Sequence, residues 1–220
     1  MESTSESTVL LGYSARVAIP AVELTDAQRR NLFRPEVKAA LSVDDMIWPD
    51  VCASGRGTER PEWVGYVQDL WASLPSLRRT AAQAGLREAH DFTAIAIRVV
   101  VGRSSQEHWR TRLGLFDPAE VPASACSLGF DVADEFLMSG LCNGVFFASE
   151  NSDALRAQWA QHISPYHLFA DRDAAMDFVS VSESRFPEHV PFFAFEVLAL
   201  TSAARPSIPS ATEATEPRRS

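Results

Sequence analysis

The segment 91–102, DFTAIAIRVVVG, limits the possible folds of this chain more than any other stretch. It is mostly apolar and rich in β-branched residues, which are favoured in strands. A strand buried on both faces has this composition, so the segment predicts a central strand of a sheet. The segment 191–200, PFFAFEVLAL, predicts a second strand, because a proline is tolerated at the first residue of a strand.

The stretches between the predicted strands are unequal and contain different numbers of predicted helices. Ser73 followed by Pro75 predicts a helix start, and Gly85 predicts the end of that helix. Another helix is predicted to begin near Asp171. This spacing lacks the regular alternation of a doubly wound fold. The sequence therefore predicts an α+β fold, a single domain with a mainly antiparallel or mixed central sheet flanked by several helices.

Two further strands and two tails complete the predicted organisation. The segment 13–19 predicts a short strand, and the segment 108–116, HWRTRLGLF, predicts the antiparallel neighbour of the central strand. Residues 1–8 and 203–220 are poor in aromatic residues and rich in Ser and Thr, so they predict disordered tails. A chain of 220 residues then contains one α+β domain over residues 9–202.

The cysteines and the N-terminus predict a cytoplasmic location. The three cysteines are an odd number without CxxC spacing, which favours free thiols in a reducing compartment. The N-terminus lacks the basic and apolar regions of a signal peptide. No apolar run approaches the length of roughly 20 residues that a membrane helix needs. The sequence therefore predicts no membrane segment.

The charge of the chain is negative and unevenly distributed. A formal net charge of −9 argues against nucleic-acid binding, which depends on clustered Lys and Arg, and it favours a basic protein partner. The interval 113–155 contains no Lys or Arg, so it forms either an acidic interface or only a solvated face. Nineteen Arg against one Lys, together with abundant Ala, suggest a bacterial, GC-rich genome.

The segment 129–147, GFDVADEFLMSGLCNGVFF, has the pattern of a helix with a marked beginning and end. Asp131 is predicted as its N-cap, and Asp134 and Glu135 lie where carboxylates favour the helix dipole. Phe136 is predicted on the buried face, and Cys142 at the C-terminal end, before Asn-Gly. The alternative interpretation is a pair of catalytic carboxylates, which the spacing alone supports weakly.

Histidines and cysteines offer candidates for catalysis. Glu188 and His189 lie in a proline-braced loop before the second strand, and such loops often carry function. Cys142 could act as a nucleophile with His167 or His189 as its base. The histidine spacing matches no metal motif, and the glycine pattern matches no nucleotide-binding loop, so neither a metal nor a cofactor is predicted.

Two classes of function follow from these features. The first is an acidic, cytoplasmic protein-binding domain, in its most specific form an immunity-type inhibitor of a bacterial toxin with a basic surface. The second is a small enzyme with a His/carboxylate or Cys/His site around Glu188 and His189. The sequence leaves the oligomeric state open. The residues predicted to bind a basic partner are Asp131, Asp134, Glu135, Glu150 and Asp153.

Overall fold

The predicted central strand lies in the interior of the sheet. The structure is a computed structural model, which describes residues 7–16, 19–26, 29, 32–34, 36–44, 70–88, 92–101, 109, 120–141 and 152–200. The strands of these ranges are β1 Ser7–Arg16, β2 Ile19–Pro20, β3 Ala39–Ala40, β4 Thr93–Val101, β5 Cys126–Asp134 and β6 Phe192–Ala199. The helices are α1 Leu74–Gln83, α2 Ser152–Trp159 and α3 Arg172–Arg185, with 3-10 turns at Ala21–Glu23, Ala160–His162 and Pro187–His189. This arrangement confirms the α+β fold.

Four strands form one antiparallel sheet in the order β1-β4-β6-β5, and β2 pairs with β3 separately. In the centre of the sheet, Ile97 of β4 lies between Gly12 of β1 and Val197 of β6. The prediction that the segment 108–116 is a neighbour of β4 is wrong, because β1 and β6 occupy both sides of that strand. Within that segment the structure describes only Trp109, which is buried against the ring of Phe195.

The first strand is longer than its sequence pattern predicts. It begins at Ser7, within the predicted tail, because Ser7 pairs with Val101 and the ladder continues to Arg16. The register shifts between Leu10 and Gly12. Residues 1–6 and 203–220 of the two predicted tails lie outside the described residues.

Helices α1 and α3 cover one face of the sheet. The N-cap Ser73 accepts a hydrogen bond from the backbone N–H of Ser76 at 3.3 Å, and Gly85 follows the helix with φ +77°, which confirms both predicted ends of α1. Asp171 caps α3 by accepting from the N–H of Ala174 at 2.8 Å, as predicted. Phe178, a buried residue of α3, packs on buried residues of β5 and β6.

The opposite face of the sheet is covered by other parts of the chain. Ile95, Ile97 and Val99 of β4 are buried there beneath residues 41–43 and Trp109. Full burial of one such side chain contributes about 1.5–3 kcal/mol, so this layer supplies a large share of the folding free energy. None of the described helices is long and apolar enough to cross a membrane.

The helix predicted within residues 129–147 is wrong over its described part. Residues up to Asp134 belong to β5, which pairs with β6 from Asp134 opposite Phe192 to Cys126 opposite Ala199. Long-range pairing over the length of the strand outweighs the local capping pattern, since carboxylates near a helix start are only a weak preference.

Candidate functional site

The chain reverses immediately after β5 in a tight hairpin. The backbone N–H of Leu137 donates to the carbonyl of Asp134 at 3.1 Å, and the N–H of Asp134 donates to the carbonyl of Met138 at 3.2 Å. Leu137 has φ 64°, the left-handed conformation that closes three-residue hairpin loops. The returning chain pairs at Ser139 with Ala133. The loop therefore has a defined conformation at the end of the sheet.

The carboxylate of Asp134 holds this loop together. Its Oδ1 accepts hydrogen bonds from the backbone N–H groups of Phe136 and Met138, both at 2.9 Å. Asp134 is buried, so these charge-assisted bonds are shielded from water. One side chain therefore fixes the backbone of the loop at two positions.

The second oxygen of Asp134 contacts a histidine from another element. Oδ2 lies 3.2 Å from Nδ1 of His189, whose side chain is 28% exposed. His189 ends the 3-10 turn Pro187–His189, and its backbone N–H donates to the carbonyl of Phe186 at 2.9 Å. The structure thus brings together two predicted site residues, Asp134 and His189, that are 55 positions apart in sequence. Glu188 precedes His189 in the chain and is exposed.

Two large apolar side chains are exposed at this end of the sheet. Phe136 is 62% exposed and Val190 is 50% exposed. Both lie just beyond the last pair of the β5–β6 ladder, Asp134 opposite Phe192. Residues 134–138 and 188–190 together are called the hairpin corner below. Its exposed part combines an aromatic ring, an aliphatic side chain and the carboxylate of Glu188.

Asp131 is not part of an exposed surface. It is completely buried, and its Oδ2 accepts from the Ser42 hydroxyl at 2.6 Å and from the Val43 N–H at 2.9 Å. Its Oδ1 accepts from the Ser139 hydroxyl at 2.6 Å and from the Val132 N–H at 2.8 Å. Burial raises the pKa of Asp131 to about 6, against the lowering effect of these four hydrogen bonds. Asp131 therefore joins residues 42–43 to β5 and to the chain that returns from the hairpin.

Asp44 extends the buried polar group around Asp131. Its Oδ2 accepts from the N–H of Ser139 at 3.0 Å, and its own N–H donates to the Ser42 hydroxyl at 3.0 Å. Asp44, Ser42 and Ser139 are all buried. The cluster is therefore a connection between chain segments inside the protein, and a substrate cannot reach it from solvent.

His167 is also an internal residue. It is buried, and its Nε2 accepts a hydrogen bond from the N–H of Phe33 at 2.9 Å. Burial lowers the pKa of His167 to about 3, so its imidazole is neutral around pH 7. A buried ring engaged in this way cannot serve as a base for a substrate in solvent.

The remaining predicted residues are dispersed. Asp153 is exposed at the start of α2 and pairs with Arg156. Glu135 lies partly exposed in the hairpin loop. Cys142 and Glu150 lie outside the described residues.

Sequence reasoning missed the exposure of Phe136 and the role of Ser42, Asp44 and Ser139. The prediction that Phe136 lies on a buried helix face is wrong, because the side chain is 62% exposed in a hairpin loop. An aromatic residue among apolar neighbours is typical of a core, so the sequence pattern indicates burial here. The two serines and Asp44 have no distinctive spacing, and their hydrogen bonds to one another and to Asp131 form only in the folded chain. The positive φ of Leu137 has no sequence signal either, since leucine rarely adopts it.

Comparison of the chain with protein-family models, with curated proteins and with solved structures finds no match.

Proposed function

We propose that this chain is a cytoplasmic protein-binding domain that contacts a basic partner through the hairpin corner. The observation that carries the proposal is the exposed ring of Phe136 on a loop fixed by the buried Asp134 carboxylate. Aromatic residues are enriched among the side chains that dominate interface energies. A loop that is already ordered loses little conformational entropy on binding, so more of the contact energy appears as affinity.

The position of Val190 supports an interface rather than a chance exposure. Single exposed apolar residues are common on protein surfaces. In the described ranges, however, two of the three exposed large apolar side chains, Phe136 and Val190, lie at one end of one strand pair. The third, Val22, lies in the 3-10 turn Ala21–Glu23. The hairpin corner therefore offers apolar area where a partner could cover it.

The charges around the hairpin corner favour a basic partner. Glu188 is exposed and Glu135 is partly exposed in the corner itself. Arg185 in the last turn of α3 offsets part of this charge. The whole chain carries −9, so long-range attraction would accelerate encounter with a cationic protein.

The most specific form of the proposal is an immunity-type inhibitor that occludes a bacterial toxin with a basic surface. An acidic inhibitor associates rapidly with a basic active-site cleft and excludes like-charged proteins. The strong preference for Arg over Lys supports a bacterial source, in which such pairs of toxin and inhibitor would be encoded.

The proposal is tested by capture from the native host with the tagged chain, followed by mass spectrometry. We expect one basic protein at near-equal stoichiometry, with capture reduced between about 50 and about 300 mM NaCl. Phe136→Ser should weaken capture about ten-fold or more, because it removes a central aromatic contact. Val22→Ser is the matched control, since it also replaces an exposed apolar residue, and it should leave capture unchanged.

Capture that is equal for the wild type, Phe136→Ser and Val22→Ser would refute a binding function for the hairpin corner. Thermal unfolding of each variant shows whether reduced capture results from misfolding. Both positions are more than half exposed, so neither substitution should lower stability by more than about 0.5 kcal/mol.

The 3.2 Å contact between His189 and Asp134 favours a second candidate, a small hydrolytic enzyme. A buried carboxylate that orients an imidazole is an arrangement used in general acid–base catalysis. The test is hydrolysis of p-nitrophenyl acetate and p-nitrophenyl phosphate by the wild type and His189→Ala. Equal rates for the two proteins would leave this candidate without support.

A further inference from the structure

The hairpin corner combines the groups with which an arginine side chain interacts best. Phe136 presents an exposed aromatic ring, and Glu188 presents an exposed carboxylate. The two segments are linked through Asp134. Its carboxylate accepts from the backbone N–H of Phe136 and contacts His189, the residue after Glu188. A guanidinium group stacks on aromatic rings and pairs with carboxylates through two parallel N–H donors. An ammonium group is more strongly hydrated and stacks less well.

We propose that the partner residue seated on the hairpin corner is an arginine, with its guanidinium over the Phe136 ring and its charge facing Glu188. This inference rests on the proposed function and specifies the chemistry of the partner. Val190 adds an apolar wall for the methylene groups of the arginine, which bury their stem along apolar surface while the charged end stays near carboxylates.

Charge complementarity identifies this occupant among the alternatives. A second copy of the chain, packed corner to corner, would place Glu188 near another Glu188 and bring together two proteins with net charge −9. A purely apolar partner segment would leave the Glu188 carboxylate desolvated without a cation, which is unfavourable. A basic segment containing arginine satisfies both the ring and the carboxylate.

The test uses two labelled peptides of equal length, in which glycine alternates with arginine in one and with lysine in the other. Fluorescence anisotropy of the full chain should show about three-fold tighter binding of the arginine peptide, because stacking at an exposed ring contributes modestly. Phe136→Leu keeps an apolar side chain but removes the aromatic face. It should therefore abolish the preference for arginine while leaving lysine-peptide binding nearly unchanged.

Glu188→Gln separates the ion pair from general attraction to an acidic protein. It should weaken both peptides about three-fold, because an exposed ion pair is worth little more than that. Asp26→Asn is the matched control, since Asp26 is also exposed and the substitution removes the same charge outside the hairpin corner. It should change both affinities less than Glu188→Gln does.

Different results overturn the inference and the proposed function. Equal affinities of the wild type for the two peptides, or a preference that survives Phe136→Leu, would overturn the arginine inference. A host partner whose capture still depends on Phe136 would leave the proposed function intact in that case. Dimerisation of the chain through this corner, seen in sedimentation and lost in Phe136→Ser, would also overturn the arginine inference.

Discussion

Two buried ionisable side chains respond to pH in opposite directions. The pKa of Asp131 is raised to about 6 by burial, and the pKa of His167 is lowered to about 3 by burial. Both groups are therefore more stable in their neutral forms inside the protein. Between about pH 4 and 6, falling pH favours the folded state through Asp131 and disfavours it through His167.

Asp131→Asn isolates the first of these effects. The raised pKa of Asp131 means that its stabilising contribution is present below about pH 4 and is lost as the pH rises through about 6. The free energy of unfolding of the wild type should therefore fall by about 3 kcal/mol relative to Asp131→Asn across this window. Urea unfolding of both proteins at several pH values measures the difference. Parallel pH profiles would contradict the prediction.

His167→Gln isolates the second effect and should have the opposite sign. The contribution of neutral His167 is present above its ordinary pKa of about 6.5 and is lost as the pH falls towards about 3. The wild type should therefore lose about 3 kcal/mol or more relative to His167→Gln between about pH 7 and 4. Glutamine keeps an acceptor for the N–H of Phe33, and any constant cost of the substitution cancels in the comparison between pH values. Urea unfolding with no relative change would show that His167 titrates normally.

At the scale of elements, β5 shows what local sequence can and cannot predict. The ends of α1 and the cap of α3 follow from Ser73, Gly85 and Asp171, because capping depends on neighbouring backbone. Asp131 has the same local pattern but lies in a strand, because it pairs with Phe195 of β6. Its carboxylate accepts from Ser42, 89 positions away, which no local pattern predicts. The contact from Asp134 to His189 likewise depends on the sheet. The sequence therefore predicts local ends well and the candidate site only in part.

Gly129 in β5 provides a test of how closely the edge of the sheet is packed. It has φ +134°, and a Cβ there would lie 2.6 Å from the carbonyl oxygen of Phe169, which pairs with the neighbouring Phe130. Gly129→Ala should lower the free energy of unfolding by about 2–4 kcal/mol, through backbone strain and steric overlap.

Gly85→Ala is the matched control for Gly129→Ala in denaturant unfolding. Gly85 also has a positive φ, +77°, but a Cβ there would have no atom within 4 Å. It should cost only about 1 kcal/mol, from backbone strain alone. Equal losses in the two variants would show that the contact with Phe169 does not limit this position.

For the whole molecule, the last strand in the described part of the sequence has a central position in space. β6 lies between β4 and β5 and is the only described partner of β5 along most of its length. The apolar composition of residues 91–102 predicts a central strand, since burial on two faces leaves a direct record in the sequence, and residues 191–200 are predicted as a strand without a position in the sheet. The order of the strands has no such record, because pairing between distant segments depends on the entire core.

Removal of β6 should therefore abolish folding rather than trim the domain. A chain that ends at Val190 leaves β4 and β5 without their common neighbour and should show unfolded circular dichroism or aggregate. A chain that ends at Ser202, the predicted domain boundary, retains β6 and should unfold cooperatively like the full-length protein. Cooperative thermal unfolding of the chain that ends at Val190 would contradict the central role of β6.

The position of β6 also has a consequence for biosynthesis. A ribosome adds residues in order, so β1, β4 and β5 emerge well before Phe192–Ala199. Until then β4 has β1 on one side only, and its other edge can pair with another nascent chain. We therefore expect chaperones that shield exposed strand edges to determine the yield of this protein during translation. The nascent chain should no longer need them once residue 199 has left the exit tunnel.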